Sequence, residues 1–238
     1  MCGRFVSTTT SEDLAAHFDA RPVGTGLRPR FNVAPGSEVW TVVVDDATPN
    51  ERVLRPMRWG LVPSWAKDAS VGQRMINARV ETLGERPAYR RAFQSRRCLV
   101  PADGFYEWEA VGPKRKQPWY FSAPSGSPLC FAGLFERWND PSGQRSEPLE
   151  SVTIVTTPAN AVVGPIHDRM PLMLDAGVWD TWLDTEIPGH AALSSIHGTS
   201  VEPALVRWAV TPAVGNPRND RPDLIEPFDT GAAPDTLW

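Results

Sequence analysis

Four short polar clusters interrupt otherwise apolar sequence: Cys2-Gly3-Arg4, Asn77-Ala78-Arg79, Tyr106-Glu107-Trp108 and His167-Asp168-Arg169. Cys2 offers the most unusual chemistry. Removal of Met1, which a small second residue favours, would leave an α-amine and a thiol on adjacent carbons. Their reference pKa values are about 7.7–8.0 and about 8.5, so both are partly nucleophilic near neutrality. Such a pair can take one aldehyde in two steps, first as an imine and then as a five-membered thiazolidine. The thiolate can also attack an amide, with the amine as its base. Taken alone, Cys2 reads more simply as an arbitrary residue of a frayed terminus.

The other clusters supply what an aldehyde trap would need. Strand alternation puts Glu107 on one face with Phe105 and Glu109, opposite Tyr106 and Trp108. A carboxyl desolvated beside aromatics has a raised pKa and moves protons near neutrality. The plain alternative is a glutamate on the wet face of a strand. His167 lies in a Pro-bracketed loop, where an imidazole can exchange protons at physiological pH or simply bond to backbone. The remaining histidines, His17 in an amphipathic helix and His190 and His197 in turns, read as structural or solvated. In an extended segment Asn77 and Arg79 point the same way. The amide could orient a substrate or the terminal amine, and the arginine could hold a phosphate or a carboxylate; the plain alternative is a turn Asn and a surface Arg. Arginines at 74, 79, 86, 90, 91, 96 and 97 form a local basic run. It is a solvated helix face or a phosphate-tracking surface.

The chain that must position these groups has 238 residues, 41% hydrophobic and 22% charged, an ordinary globular composition. A net charge of −4 argues against non-specific coating of nucleic acid but not against a local basic cleft. No secretory signal and no apolar run long enough to span a membrane are evident, which predicts a cytoplasmic protein. The three cysteines show no metal-ligand spacing, so neither metal nor other cofactor is expected. Cys98 and Cys130 sit in apolar runs and read as buried small hydrophobes.

Helices are predicted over 11–18, 85–96 and 176–184, the last with Trp179 and Trp182 facing the core. Strands are predicted over 38–44 and 52–59, joined by a turn at Pro49-Asn50, and over 97–100, 104–109, 118–122, 129–135, 151–157 and 205–210. Residues 28–36 and 60–73 read as loops. Pro56 implies a strand edge or a bulge. Helices and strands intermix without βαβ alternation. That predicts a single α+β domain over 1–228, built on a strongly bent, mostly antiparallel, barrel-like sheet with a few flanking helices. Residues 229–238 are expected to form a flexible tail.

The clusters and their order resemble the SRAP family, the SOS-response-associated peptidase or abasic-site processing proteins. The landmarks are MCGRF at 1–5, FNVAPG at 31–36, WGLVPSW at 59–65, INARVET at 76–82, ADGFYEW at 102–108, IVTTPAN at 154–160, IHDRMP at 166–171 and AVGNPRND at 213–220. The resemblance covers residues 1 to 227 and implies that Cys2, once Met1 is removed, crosslinks to the ring-opened sugar of an abasic site in single-stranded DNA. It further implies that Asn77 positions the amine or the sugar, that Glu107 transfers protons, and that His167 promotes ring opening and assists reversal or lyase-type strand cleavage. Arg4, Arg79 and Arg169 become phosphate contacts, and Asn32 and Trp65 shape the DNA site, Trp65 by stacking. Self-removal of Met1 also follows from the family's peptidase name. The expected partner is DNA, with no membrane, and the expected state is a monomer that works with the nucleoid during DNA damage. The main rival is an N-terminal-Cys glutamine amidohydrolase, which shares the processed Cys-Gly start. The third reading is a plain single-strand binder, which leaves Cys2, Glu107 and His167 unexplained.

Overall fold

The computed structural model describes residues 2–48, 51–113, 115–199 and 204–230, with the side chains of 197–199 left aside. Along the chain run β1 (Phe5–Ser7), α1 (Ser11–Phe18), β2 (Ala20–Pro22), β3 (Arg30–Val33), β4 (Glu38–Val44), β5 (Arg52–Trp59) and β6 (Asn77–Arg79). Then come α2 (Pro87–Ser95), β7 (Arg97–Ala102), β8 (Gly104–Ala110), β9 (Lys116–Ser122), β10 (Leu129–Trp138), β11 (Leu149–Pro158), β12 (Arg169–Pro171), α3 (Trp179–Leu183), α4 (Gly189–Thr199) and β13 (Val206–Ala209).

Five strands close a barrel. β7, β4, β5, β11 and β10 pair in turn, all antiparallel except β5 with β11. Alternate residues fill its interior: Val39 and Val43 from β4, Val53 and Met57 from β5, Cys98 and Val100 from β7, Phe131 and Phe135 from β10, and Val152 and Ile154 from β11. Cys98 in this interior and Cys130 in the second cluster, on the other face of the barrel wall, are buried packing groups. A second, antiparallel sheet in the order β13-β9-β8-β1-β3 lies against the barrel. Aromatic rings join the two. The Phe5 ring lies 5.1 Å from Trp59 and 6.3 Å from Phe131, and Phe105 contacts both Phe121 and Phe131. Edge-to-face and offset pairs of this kind add to the burial energy of each ring.

The α+β architecture with a bent, mostly antiparallel sheet agrees with the sequence reading, and β4 and β5 span the predicted residues. Pro56 sits where β5 lacks a second neighbour, since β2 pairs only with residues 52–54 and β11 with 58–59. Several differences have a physical cause. Residues 28–36 were expected as a loop, but Phe31–Val33 form most of β3, because β1 supplies the partner. The short strands β1, β2, β6 and β12 carry too few residues for periodicity to reveal. His190 and His197 were placed in turns, whereas both fall within α4. The helix expected over 176–184 begins as a 3-10 turn at Ala176–Val178 before α3. The loop expected over 60–73 ends in a 3-10 turn over Ala69–Arg74. The Pro49-Asn50 turn and residues 231–238 lie outside the described residues. No described helix is long and apolar enough to cross a membrane.

Arg97 anchors the helical side. Its guanidinium is buried and donates to the carbonyls of Phe93, Gln94, Trp182, Asp184 and Ile187. It thereby holds α2 and the end of α3 against β7. Arg97→Ala would leave those carbonyls without their donor and open a cavity, so a loss of about 3 kcal/mol or more is expected. Chemical denaturation with unchanged m-value would measure it; a loss under about 1 kcal/mol would contradict the assignment.

Candidate active site

β11 outruns the barrel, and its last residues gather the site. On one side Ile154–Thr156 pair with Asn77–Arg79 of β6; on the other Thr156–Pro158 pair with Arg169–Pro171 of β12. Asn77 therefore stands at the start of β6, and His167 just before β12. The connection from β5 to β6 is fixed by close backbone approach. Gly60 has a φ of +121°, and a Cβ there would lie 2.6 Å from the Gly72 carbonyl oxygen. Trp59 Nε1 donates to Ile76 O at 2.9 Å, and Leu61 N donates to Met75 O. Position 60 thus requires glycine for both its φ and its space.

β1 delivers Cys2 from the other sheet. Tyr106 N donates to Arg4 O, and Phe5 pairs with Phe105, so the residues before β1 run beside β8 and Glu107. Cys2 is fully buried in the aromatic core that joins barrel and sheet. Asn77 Nδ2 donates to Cys2 O at 2.8 Å, and Tyr89 of α2 donates from its hydroxyl to Asn77 O. Asn77 Oδ1 is buried and has no hydrogen-bond partner among the described residues. An acceptor is thus held beside the Cys2 backbone.

Glu107 is only 2% exposed. Burial pushes its carboxyl up to about 7, and the negative charge of Asp168 adds to the rise. Burial also drives the Cys2 thiol well above its ordinary value, with the Glu107 carboxylate as the second cause. The Cys2 sulfur is therefore a thiol rather than a thiolate at neutral pH, and a nearby half-ionised carboxyl is suited to remove its proton. His167 is partly exposed. Its Nδ1 accepts from Arg169 N at 3.0 Å, which places the neutral ring's proton on Nε2. Burial lowers its pKa, while Asp168, 3.1 Å from Nδ1, opposes that shift.

The arginines divide by role. Arg169 is 8% exposed and bound to both carboxylate oxygens of Glu81, at 2.5 and 3.0 Å, and to Thr156 O. It clips β12 to the turn that follows β6 and has little surface left for a phosphate. Arg4 donates to Asn32 Oδ1 and Val214 O and lies over the Trp108 ring. Asn32 is fully buried, and its amide donates to Val214, Asn216 and Asn219 carbonyls. Direct contact with DNA is not open to it; it holds Arg4 and the 213–219 loop in place. Arg79 is exposed beside Asn77. Trp65 is 62% exposed, although neighbouring Val62 and Ala66 are buried against Trp138. Sequence reasoning gave no role to Glu81, Tyr89 or Asp168. Glu81 sits in the same motif as Asn77 and Asp168 beside His167, but their contacts cross between elements and carry no local signal. A cavity of about 820 Å³ opens elsewhere, between Arg52, Phe135, Asp180 and Asp184, and includes none of these residues.

The site thus joins a buried cysteine to the Asn77 amide and to the field of the Glu107 carboxyl, within a mixed α+β fold built on a closed five-stranded barrel. Comparison with known proteins gives the particular family. The model for SOS response associated peptidase (SRAP) matches residues 1–217, and the chain belongs to that family. It is 39% identical over 229 residues to abasic site processing protein YoqW of Bacillus subtilis, covering 95% of this chain and 99% of that one. It is 34% identical to YedK of Escherichia coli, an abasic site processing protein, over 95% of this chain and 100% of that one. A Bacteroides thetaiotaomicron crystal structure shares the fold with a TM-score of 0.81 at 21% identity, over 95% of this chain and 100% of the other.

The electrostatic assignment makes a signed prediction. Removing a negative charge eases ionisation of a carboxyl and disfavours an imidazolium. Asp168→Asn should therefore lower the pKa of Glu107 and of His167 together, as followed by NMR titration. A rise in either would show that another group sets these values.

Proposed function

We propose that this protein processes abasic sites in single-stranded DNA, with Cys2 as the group that becomes covalently attached after Met1 is removed. The reading is carried by one observation: Cys2 is buried where Asn77 grips its backbone and Glu107 shares its electrostatic environment. Similarity to proteins named for abasic site processing supports the substrate class.

The chemistry proceeds in balanced steps. An abasic sugar exists mostly as a closed ring. The protonated form of His167 gives its proton to the ring oxygen while the anomeric hydroxyl loses its own to solvent, so the ring C–O bond breaks and the aldehyde is freed. The Cys2 amine, with Asn77 Oδ1 as acceptor for one N–H, attacks the carbonyl carbon. Glu107 then gives a proton to the departing hydroxyl, and water leaves as the imine forms. In the last step the Cys2 sulfur bonds to the carbon of the protonated imine while the Glu107 carboxylate takes the thiol proton, and the nitrogen keeps the hydrogen it already carries. The product is a thiazolidine. Reversal or strand cleavage by elimination from the imine uses the same proton-transfer groups. Arg79 meets the backbone, Trp65 offers a stacking face, and Arg4 closes the inner side of the site. Arg169 and Asn32 act by holding their neighbours. For self-processing, the Cys2 sulfur attacks the Met1 carbonyl, the C–N bond breaks to free the Cys2 amine and leave a thioester, and water hydrolyses that thioester to release Met1 and restore the thiol.

Incubation with single-stranded DNA carrying one abasic site, followed by a denaturing gel, should give a heat-stable band that intact DNA does not give. A residue placed before Cys2 so that its amine stays an amide should abolish that band although the thiol remains. A persisting adduct would identify another nucleophile, and glutamine turnover without an adduct would favour the amidohydrolase reading.

Glu107→Gln keeps the shape and loses the proton relay. Single-turnover adduct formation should slow by about 10²-fold or more while DNA affinity is retained. An unchanged rate would remove Glu107 from the mechanism.

A further inference from the structure

The two proton-transfer groups stand on separate elements that share one support. Arg207 of β13 donates from Nη1 to Val162 O at 2.5 Å. Its guanidinium carbon lies 5.4 Å from the centre of the Trp119 ring. Trp119 is the cross-strand partner of Glu107 and donates from Nε1 to Glu109 Oε2 at 2.9 Å. Arg207 thus rests on the ring directly beside Glu107 and reaches across to the turn that carries His167.

That turn is internally stiff. Asn160 Oδ1 accepts from Val162 N and Val163 N, and Gly164 N donates to Asn160 O. His167 N donates to Val163 O at 3.1 Å, and Ala159 N closes the base of the turn on Asp168 O. Val163 is fully buried. Force applied at Val162 O therefore reaches His167 through one residue and one hydrogen bond. A planar guanidinium can stack on an aromatic face while a nitrogen at its rim donates in the ring's plane, and a flexible ammonium cannot do both as well.

We propose that Arg207 is a positioning residue, which fixes the His167-bearing turn at a set distance from the sheet face that carries Glu107. Its catalytic relevance rests on the abasic-site reading; its structural claim does not. Loss of the fork frees the turn to shift against β8. A displacement on the order of 1 Å at a proton-transfer group can slow a reaction by about 10²-fold.

Arg207→Met keeps an apolar stem over Trp119 and removes both the charge and the donor. In the free protein, NMR should show displaced His167 ring resonances and an altered titration midpoint. The charged groups that act on His167, namely the N-terminal amine, Asp168 and Lys116, are unchanged in the variant. Adduct formation with abasic single-stranded DNA should slow by about 10- to 100-fold with DNA affinity kept within twofold. In a His167→Ala background the same substitution should add no further slowing, because both changes act through one group. Wild-type His167 resonances and titration in folded Arg207→Met would overturn the proposal, as would a full additional loss in the His167→Ala background. If wild-type protein forms no adduct, the functional reading fails while the His167 titration still decides the role of Arg207. Should Arg207→Met not fold, Arg207→Gln is measured against the same criteria.

Discussion

β11 makes two kinds of partnership along ten residues. Its first half closes the barrel between β5 and β10, and its second half projects beyond and accepts β6 on one flank and β12 on the other. A projecting strand with free N–H and C=O groups needs partners on both sides, and short segments suffice when the barrel has already fixed the strand. β6 and β12 are those segments. Asn77 and His167 are the residues at their entrances, so the backbone ladder of β11 sets the spacing between them. The Arg169–Glu81 pair then ties the two flanks together.

The second sheet completes the site by packing rather than by pairing. Phe5, Phe105 and Phe121 seat its inner face against Trp59 and Phe131 at the barrel's end. Cys2 and Glu107 follow from that seating, because Cys2 lies three residues before Phe5 and Glu107 two residues after Phe105. The same burial that stabilises the junction raises the pKa values of the thiol and the carboxyl. A desolvated acid beside a desolvated nucleophile is a strained electrostatic arrangement, and the aromatic core holds it in place. Arg207, Trp119 and the 159–168 turn form a bridge between the sheet and the strand that β11 recruits.

Some of this was legible in the sequence for identifiable reasons. The alternation of Phe105, Glu107 and Glu109 against Tyr106 and Trp108 placed Glu107 among aromatics, and it is buried there. The spacing of Asn77 and Arg79 gave them one face, and β6 keeps it. Pro56 marked a place where a strand lacks a neighbour. β4 and β5 were visible because runs of seven and eight residues rich in strand formers, bounded by a polar turn, suffice to show a strand. The three-residue strands that carry the site were not visible, since a strand of that length exists only through its partner. Asn32 was expected to shape the DNA site and Arg169 to contact phosphate, because a side chain's type does not reveal how many buried carbonyls or carboxylates surround it.

The amino-acid sequence by itself determined the chemical inventory: an N-terminal amine and thiol in prospect, an amide, a carboxyl and an imidazole, in an order that resembles one family. It also determined the class of fold, through the lengths and periods of its longer strands. The tertiary structure alone decided which polar residues stay accessible and which are tied up in holding the frame. It buried Arg169 and Asn32, left Trp65 in solvent, and set Glu107 near neutrality. The physical reason is that a pKa, a free surface and a hydrogen-bond partner all depend on neighbours brought from distant parts of the chain. Local sequence fixes the side chain but not the neighbours that desolvate it.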